Sequence, residues 1–392
     1  MSVFLEAPLE TLCRKVTDGT HDSPKLLPDG VPFIKGKHIS QGYLNLDYCD
    51  YISREDHLKV IARSKPERGD TLFSNIGSVG DSAFVNTDAE FSIKNVALFK
   101  PDFERVVPKY LFYLLRSPSV LGGLLSIRSG SAQPFIGLET LRKYMVRYHG
   151  SLSTQSQVVS ILSAYDDLIE NNRRRIEILE EMARRLYEEW FVQFRFPGYE
   201  GVEFGEGEFG LAPKGWSPAT VKNLVIRLKG GKAYKSAELQ GDGSIIVVDQ
   251  SRAEYLGFHD NEPCYLASPK TPAIIFGDHT CKMQVMVTPF SVGPNTVVFA
   301  GQKGHSPYYI YSLVRGLVTT AEYKRHWSDL TGKIVLEAPA TLSTRYGEMV
   351  SPMFAEIELL RRKNRNLRAQ RDLLLPKLIS GEIDVSDIPM PT

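Results

Sequence analysis

Two long stretches of this chain carry apolar residues at alternating spacings of three and four, and nothing else constrains the fold as strongly. The first begins at Ser153-Thr154-Gln155 and runs to about Phe194. It places Val158, Ile161, Tyr165, Leu168, Asn172, Ile176, Leu179, Ala183, Leu186 and Trp190 along one line, with a single four-four step at Asn172. The second places Val350, Met353, Ile357, Leu360, Asn364, Leu367, Arg371, Leu374 and Leu378 along another, with Pro376 in its last turn. A repeat averaging 3.5 residues predicts helices that pair along a seam. Residues 155–195 hold 6 bases and 8 acids, and residues 349–377 hold 7 and 3. Opposite flank charge favours pairing of the two with each other, and Asn172 and Asn364 are the polar seam residues that would set register. A helix in mid-chain and one near the end can lie antiparallel when the intervening domain sits at one end.

The helices belong to a wider repeat with a period of roughly 200 residues. Tyr110-Leu-Phe-Tyr-Leu-Leu-Arg116 matches Tyr309-Ile-Tyr-Ser-Leu-Val-Arg315. Thr71-Leu-Phe73 before a glycine loop matches Ile274-Ile-Phe276 before Gly277, and Leu9-Glu-Thr-Leu12 matches Val221-Lys-Asn-Leu224. Both mixed segments read as α+β. Strands are predicted at Val31–Ile34, Asp70–Ser74, Ala83–Asn86, Val96–Phe99 and Tyr144–Tyr148. In the second half they are predicted at Ile245–Asp249, Ala273–Phe276, Gln284–Val287, Thr296–Phe299 and Lys333–Glu337. Short helices are predicted at Lys109–Arg116 and Tyr309–Arg315. The expected organisation is a first domain over 1–150, a helix over 151–195, a linker and second domain over 196–345, and a helix with its tail over 346–392, closed by the stop at Gly381.

Composition narrows the function classes. There are 47 basic and 46 acidic residues, so the chain is no polybasic glue for nucleic acid. The layout is uneven, with 19 bases and 17 acids over 1–150, 6 and 12 over 151–211, and 14 and 10 over 220–345. No apolar run reaches the length that spans a bilayer, and the start MSVFLEAPLE lacks the basic and apolar regions of a signal peptide. Cys13, Cys49, Cys264 and Cys281 are far apart, which argues against a zinc site or disulfide framework and fits a reducing cytoplasm. A literal G-x-G-x-x-G at Gly205, Gly207 and Gly210 follows no apolar strand and carries Glu206 and Glu208, which would repel a pyrophosphate; it reads as a solvated linker. No phosphate-cradling loop, amino-methyltransferase motif or nuclease motif stands elsewhere. The loop Gly277-Asp-His-Thr-Cys-Lys282 has the most chemically interesting neighbours, and turn chemistry or a ligand contact suits it better than catalysis.

The run from Ser156 to Phe194 resembles the central conserved region of specificity subunits of type I restriction-modification systems. Leu373-Leu-Leu-Pro-Lys-Leu-Ile-Ser-Gly-Glu-Ile383 is similar to the distal conserved region of that family. Gly69-Asp-Thr-Leu-Phe-Ser-Asn-Ile-Gly-Ser-Val-Gly80 and Phe276-Gly-Asp-His-Thr280 fit its target recognition domains. The resemblance implies two similar target recognition domains separated by two long helices in an antiparallel coiled coil. It implies that each domain reads half of a split, asymmetric site in double-stranded DNA. It also implies docking of two methyltransferase subunits and of restriction subunits, with no membrane partner. Methyl donor and ATP would bind those partners, so this chain is expected to hold no cofactor or metal and to catalyse nothing. The rival readings are a coiled-coil scaffold or adaptor that binds only proteins, and an enzyme with an unrecognised site.

Base readout needs donors and acceptors on exposed loops, with cations nearby for phosphates. In the first domain the loops that fit offer Lys35, Lys37, His38, Asn75, Ser78, Arg128, Ser131 and Gln133. In the second they offer Lys232, Lys235, Arg252, His279, Lys282, Lys303, Lys324 and Arg325. Paired helices between the domains would act as a ruler. Residues 349–375 span about 40 Å as a helix at 1.5 Å per residue, close to the roughly 34–36 Å of one DNA turn.

Overall fold

The computed structural model describes residues 3–40, 42–44, 46, 49–130, 134–251, 253–320 and 324–385. Its contacts divide the chain into two units. The first comprises Met1–Ile169 with Asn366–Thr392, and the second comprises Glu170–Arg365.

The same topology is built twice. In the first unit a four-stranded antiparallel sheet runs in the order Cys13–Asp18, Ala97–Pro101, Thr71–Phe73, Ser82–Phe84. In the second the order is Val225–Arg227, Thr296–Gly301, Ala273–Gly277, Met283–Met286. Each unit adds a three-stranded sheet whose central strand pairs antiparallel on one side and parallel on the other. That strand is Val31–Ile34, between Asp50–Ile52 and Ser92–Ile93, in the first unit. It is Ile245–Val248, between Gly257–His259 and Phe290–Val292, in the second. A two-stranded ribbon then leads into each long helix: Phe4–Pro8 with Met145–His149, and Ser217–Thr220 with Ile334–Glu337. The parallel pairing explains why both repeats need a long excursion between the paired strands.

All ten strands predicted from sequence are present, within a residue or two at their ends, and so are both short helices, at Pro108–Arg116 and Pro307–Val314. Those helices fill the space between sheet and long helix. Tyr110 and Tyr309, both fully buried, accept the backbone amides of His149 and Ala338 at 3.1 Å. Each helix start is capped from a long helix: Gln155 Oε1 accepts from the Val107 amide and Ser343 Oγ from the Ser306 amide, both at 2.8 Å. These two bonds fix the sheet layer of each unit to its own helical layer.

The first long helix spans Leu152–Tyr187 and continues as one π turn over Glu188–Val192. The second spans Ala340–Ser380 and stops at Gly381, whose φ is +76°. Within the first unit the two helices run antiparallel, with Asp166 against Arg371 and Val158 and Leu162 in the core that holds Leu375 and Leu378. Within the second unit they also run antiparallel. Asn172 Nδ2 donates to Asn364 Oδ1 at 2.8 Å, Arg361 pairs with Glu180 at 2.9 Å, and the Tyr346 hydroxyl donates to Ala183 O at 3.0 Å. Asn172 and Asn364 thus meet in the seam, as their place in the pattern requires.

Three sequence expectations need correction. Leu168 is 52% exposed and the seam takes Ile169, which is fully buried. Two adjacent apolar residues at a stutter leave the phase open, and packing selected the second. The last helix starts well before Met349, because Leu342, Tyr346 and Val350 carry the apolar line backwards at four-residue spacing. Gly347 is required inside it, since a Cβ there would lie 2.1 Å from Ser306 Oγ. The glycine-rich stretch is a hairpin, Phe204–Gly207 against Gly210–Pro213, with Gly210 at φ +79° in its turn. Two strands too short and polar to show an alternating pattern were invisible in sequence.

Candidate nucleic-acid interface

In the first unit the three polar loops chosen from sequence converge. Gly36 packs so close to the next loop that a Cβ would lie 2.7 Å from Ser74 Oγ. Ile76 bridges to Phe135, Gly77 donates to Pro134 O at 2.9 Å, and Ser129 and Phe135 exchange backbone bonds. Ser129, Pro134 and Phe135 therefore share one surface with the loops around 36 and 76. A cleft of about 470 Å³ opens on it, lined by Lys35, Lys37, Ser78 and Asp81 together with Lys94 and Asn95.

The side chains in this surface divide by role. Lys35 and Lys37 both turn to Asp50, at 2.7 and 3.5 Å, and the Lys35 ammonium holds that carboxyl below its ordinary range. Lys37 remains largely exposed. His38 is buried, and its Nδ1 accepts the Lys35 amide at 3.0 Å. Burial, with Lys37 adding to it, holds the imidazole below its usual pKa. Asn75 is also buried, and its Nδ2 donates to Ile136 O at 3.1 Å. His38 and Asn75 therefore hold loops in place and do not present an edge to solvent. Ser78 and Arg128 are exposed. Ser131 and Gln133 lie outside the described residues.

In the second unit Asp278 is the centre. Its Oδ1 accepts the amides of His326 and Trp327 at 3.1 and 2.9 Å, and Arg325 Nε lies 3.9 Å from its Oδ2. His279 Nδ1 lies 3.0 Å from Lys324 O, and the Thr280 hydroxyl donates to Gln250 O at 2.6 Å. The loops around 250, 279 and 325 are thereby tied together. The loop at 233–234 joins them by pairing with Val292, next to Gly293, which packs against Asp249. A cleft of about 480 Å³ here is lined by Arg227, Asp278, Asn295, Thr296, Arg325 and Ser328.

Not every expected cation belongs to this surface. Lys303 sits with Gly304 and His305 against the first turn of the last helix, where Thr344 donates to Gly304 O; it is apart from the other loops. Lys282 donates to Ala253 O at 2.6 Å, and burial lowers its pKa. Lys232 is paired with Glu238 and lies 5.0 Å over the Tyr234 ring. Lys235 is exposed, Lys324 reaches Asp329 at 3.3 Å, and Arg325 is 78% exposed. Arg252 lies outside the described residues. Sequence reasoning passed over Lys94, Asn95, Arg227 and Asn295, although Asn95 and Asn295 stand one repeat period apart. Among the described residues no cluster of His, Cys, Asp or Glu could hold a metal, and no helix is long and apolar enough to cross a membrane.

No protein-family model matches the chain. It is 25% identical over 401 residues to the type I restriction enzyme MjaIX specificity subunit of Methanocaldococcus jannaschii, covering 94% of this chain and 88% of that one. It is 29% identical over 153 residues to the type I restriction enzyme HindI specificity subunit of Haemophilus influenzae, covering 38% of this chain and 33% of that one. Among solved structures it resembles the S subunit of a type I restriction-modification system from M. genitalium. The TM-score is 0.55 at 14% identity, over 96% of both chains, which is a likeness of fold.

Proposed function

We infer, from the chain's place among the specificity subunits of type I restriction-modification systems, that it is the DNA-reading component of such a complex. The recognition domains over 1–150 and 196–345 each take one half of a split target in double-stranded DNA, and the paired helices keep the halves at a set spacing. The observation that carries this reading is the duplication of one sheet topology with a polar, cation-bearing cleft at the corresponding edge of each copy. A scaffold that binds only proteins has no use for two such clefts lined by unlike side chains.

Division of labour follows from chemistry. Exposed Lys37, Arg128, Lys235, Lys324 and Arg325 suit phosphates, which position the duplex without reading it. The exposed Ser78 hydroxyl suits a base edge. The formal net charge of +1 supplies little of the salt-dependent affinity that phosphate neutralisation gives, so partners contribute most of it. The chain works within a restriction-modification complex. We assign it two methyltransferase subunits and, beyond them, restriction subunits. Methyl donor and ATP bind those partners, and this chain transfers and cleaves nothing. The test is methylation mapping in a host that carries the methyltransferase partner with and without this chain. A two-part motif with an unread gap, present only with the chain, supports the reading. Methylation unchanged by its removal, or a continuous motif, overturns it.

A further inference from the structure

The two clefts share one backbone feature. In each unit the chain leaves the parallel strand of the small sheet and enters the second strand of the large sheet through a single left-handed residue. It is Asn95 in the first unit, at φ +53°, and Asn295 in the second, at φ +55°. Glycine adopts this conformation without steric cost, and asparagine is among the few other residues that tolerate it. Both residues line the cleft of their own unit.

In the first unit the amide is also oriented. Arg63 pairs with the buried Asp18, whose other carboxylate oxygen lies 3.0 Å from His21 Nε2, and His21 Nδ1 lies 2.8 Å from the Asn95 amide. A buried carboxylate thus fixes a half-exposed ring, and the ring fixes one end of the amide. The other end meets no partner among the described residues, and the residue sits beside Lys37 and Ser78 in the cleft wall. In the second unit the turn is locked by its backbone: Asn295 O accepts the Asp278 amide at 2.9 Å, and the side chain is exposed beside Arg227 and Arg325. An amide held at a cleft edge between cations is the group that reads donors and acceptors on a base.

We propose that Asn95 and Asn295 are corresponding base-contacting residues, one for each half of the target, with Asn95 offering to a base edge the end of its amide that faces away from His21. This rests on the proposed function and names where that function reads sequence. The experiment uses the full chain in complex with its methyltransferase partner on the mapped target. Binding competition is measured against duplexes that carry single base-pair changes in each half. Asn95→Gly and Asn295→Gly keep the left-handed backbone free of strain and remove the side chain with its amide. The expected result is a 5- to 150-fold loss of discrimination, the equivalent of about 1–3 kcal/mol, at a single base pair. That base pair lies in one half for Asn95→Gly and in the other for Asn295→Gly, with binding to unrelated DNA unchanged. Glycine variants that discriminate at every position as well as the parent overturn the proposal. A parent complex without sequence preference overturns the function beneath it, and the parent lane alone shows that outcome.

Discussion

Replacing Asp166 by alanine tests how the recognition layer of the first unit is fastened to its helices. The Arg371 side chain is only 5% exposed, and its Nη1 donates to Asp166 Oδ1 at 2.6 Å. The Tyr113 hydroxyl, on the short helix beneath the sheet, donates to Asp166 Oδ2 at 2.5 Å. One carboxylate therefore joins both long helices to the recognition domain. Removing one partner of a buried ion pair costs about 3–5 kcal/mol, because the remaining charge stays buried. Here Asp372, on the solvent side, still accepts from Arg371 Nε and Nη2 at 2.9 and 2.8 Å, which favours the lower end. The stranded Tyr113 hydroxyl adds about 1 kcal/mol. Asp166→Ala should then destabilise the first unit by about 3–4 kcal/mol, equivalent to roughly 1–2 M in urea midpoint. Tyr113→Phe should cost about 1 kcal/mol, and Asp166→Ala with Arg371→Met should recover much of the loss. Circular dichroism in urea measures the midpoint, and hydrogen exchange over residues 108–116 locates it. An Asp166→Ala chain within about 0.5 kcal/mol of the parent, with that helix still protected, refutes the reasoning.

Three further outcomes are expected. Burial holds the Asp81 carboxyl above its ordinary range in the cleft wall, so its contribution to stability is complete below the usual carboxylate pKa and is lost as pH rises through the raised value. Asp81→Asn should therefore gain on the parent as pH rises from the usual carboxylate pKa through the raised value, and a difference in urea midpoint that does not vary with pH would count against this. Replacing Asn172 and Asn364 together with leucine should stabilise the second unit, while either single change loses the bond between the two amides at a cost of about 0.5–1.5 kcal/mol; thermal melts separate the two. Seven residues added after Leu179 and after Leu360, which the Glu180–Arg361 contact places opposite each other, should lengthen the helices by about 10 Å and widen the unread gap by a few base pairs with both half-sites unchanged. A folded variant whose methylated site keeps its gap denies the helices that role.

What the sequence made legible follows from period and repetition. Heptad spacing marks both helices because a buried seam must recur every 3.5 residues, and Asn172 and Asn364 stand out because a polar residue breaks that line. The ten strands found are mostly buried runs between turn signals. Many of those missed, such as Ser92–Ile93 and Gly257–His259, have two or three residues and no pattern of their own, and the longer Cys13–Asp18 carries Arg14, Lys15 and Asp18 where an apolar run would mark a strand. Polar loops were visible as a class, but their division was not. Whether Lys303 or Arg325 joins the cleft depends on pairings far apart in sequence, such as Trp327 with Asp278. Asn75 and Ser78 look alike in sequence, and only packing buries the first and exposes the second. Asn95 and Asn295 were discoverable from their spacing of one repeat period, had that spacing been applied to single polar residues as well as to apolar runs.

The central claim is that each unit reads its own half of the target, and methylation mapping of two variants in the same host tests it most directly. One carries Ser78→Ala with Asn95→Gly in the first cleft, and the other carries Asn295→Gly with Ser328→Ala in the second. The account predicts that the first pair degrades methylation specificity on one side of the unread gap and the second pair on the other side. Both pairs altering the same half-site, with the opposite half intact in each, would contradict it.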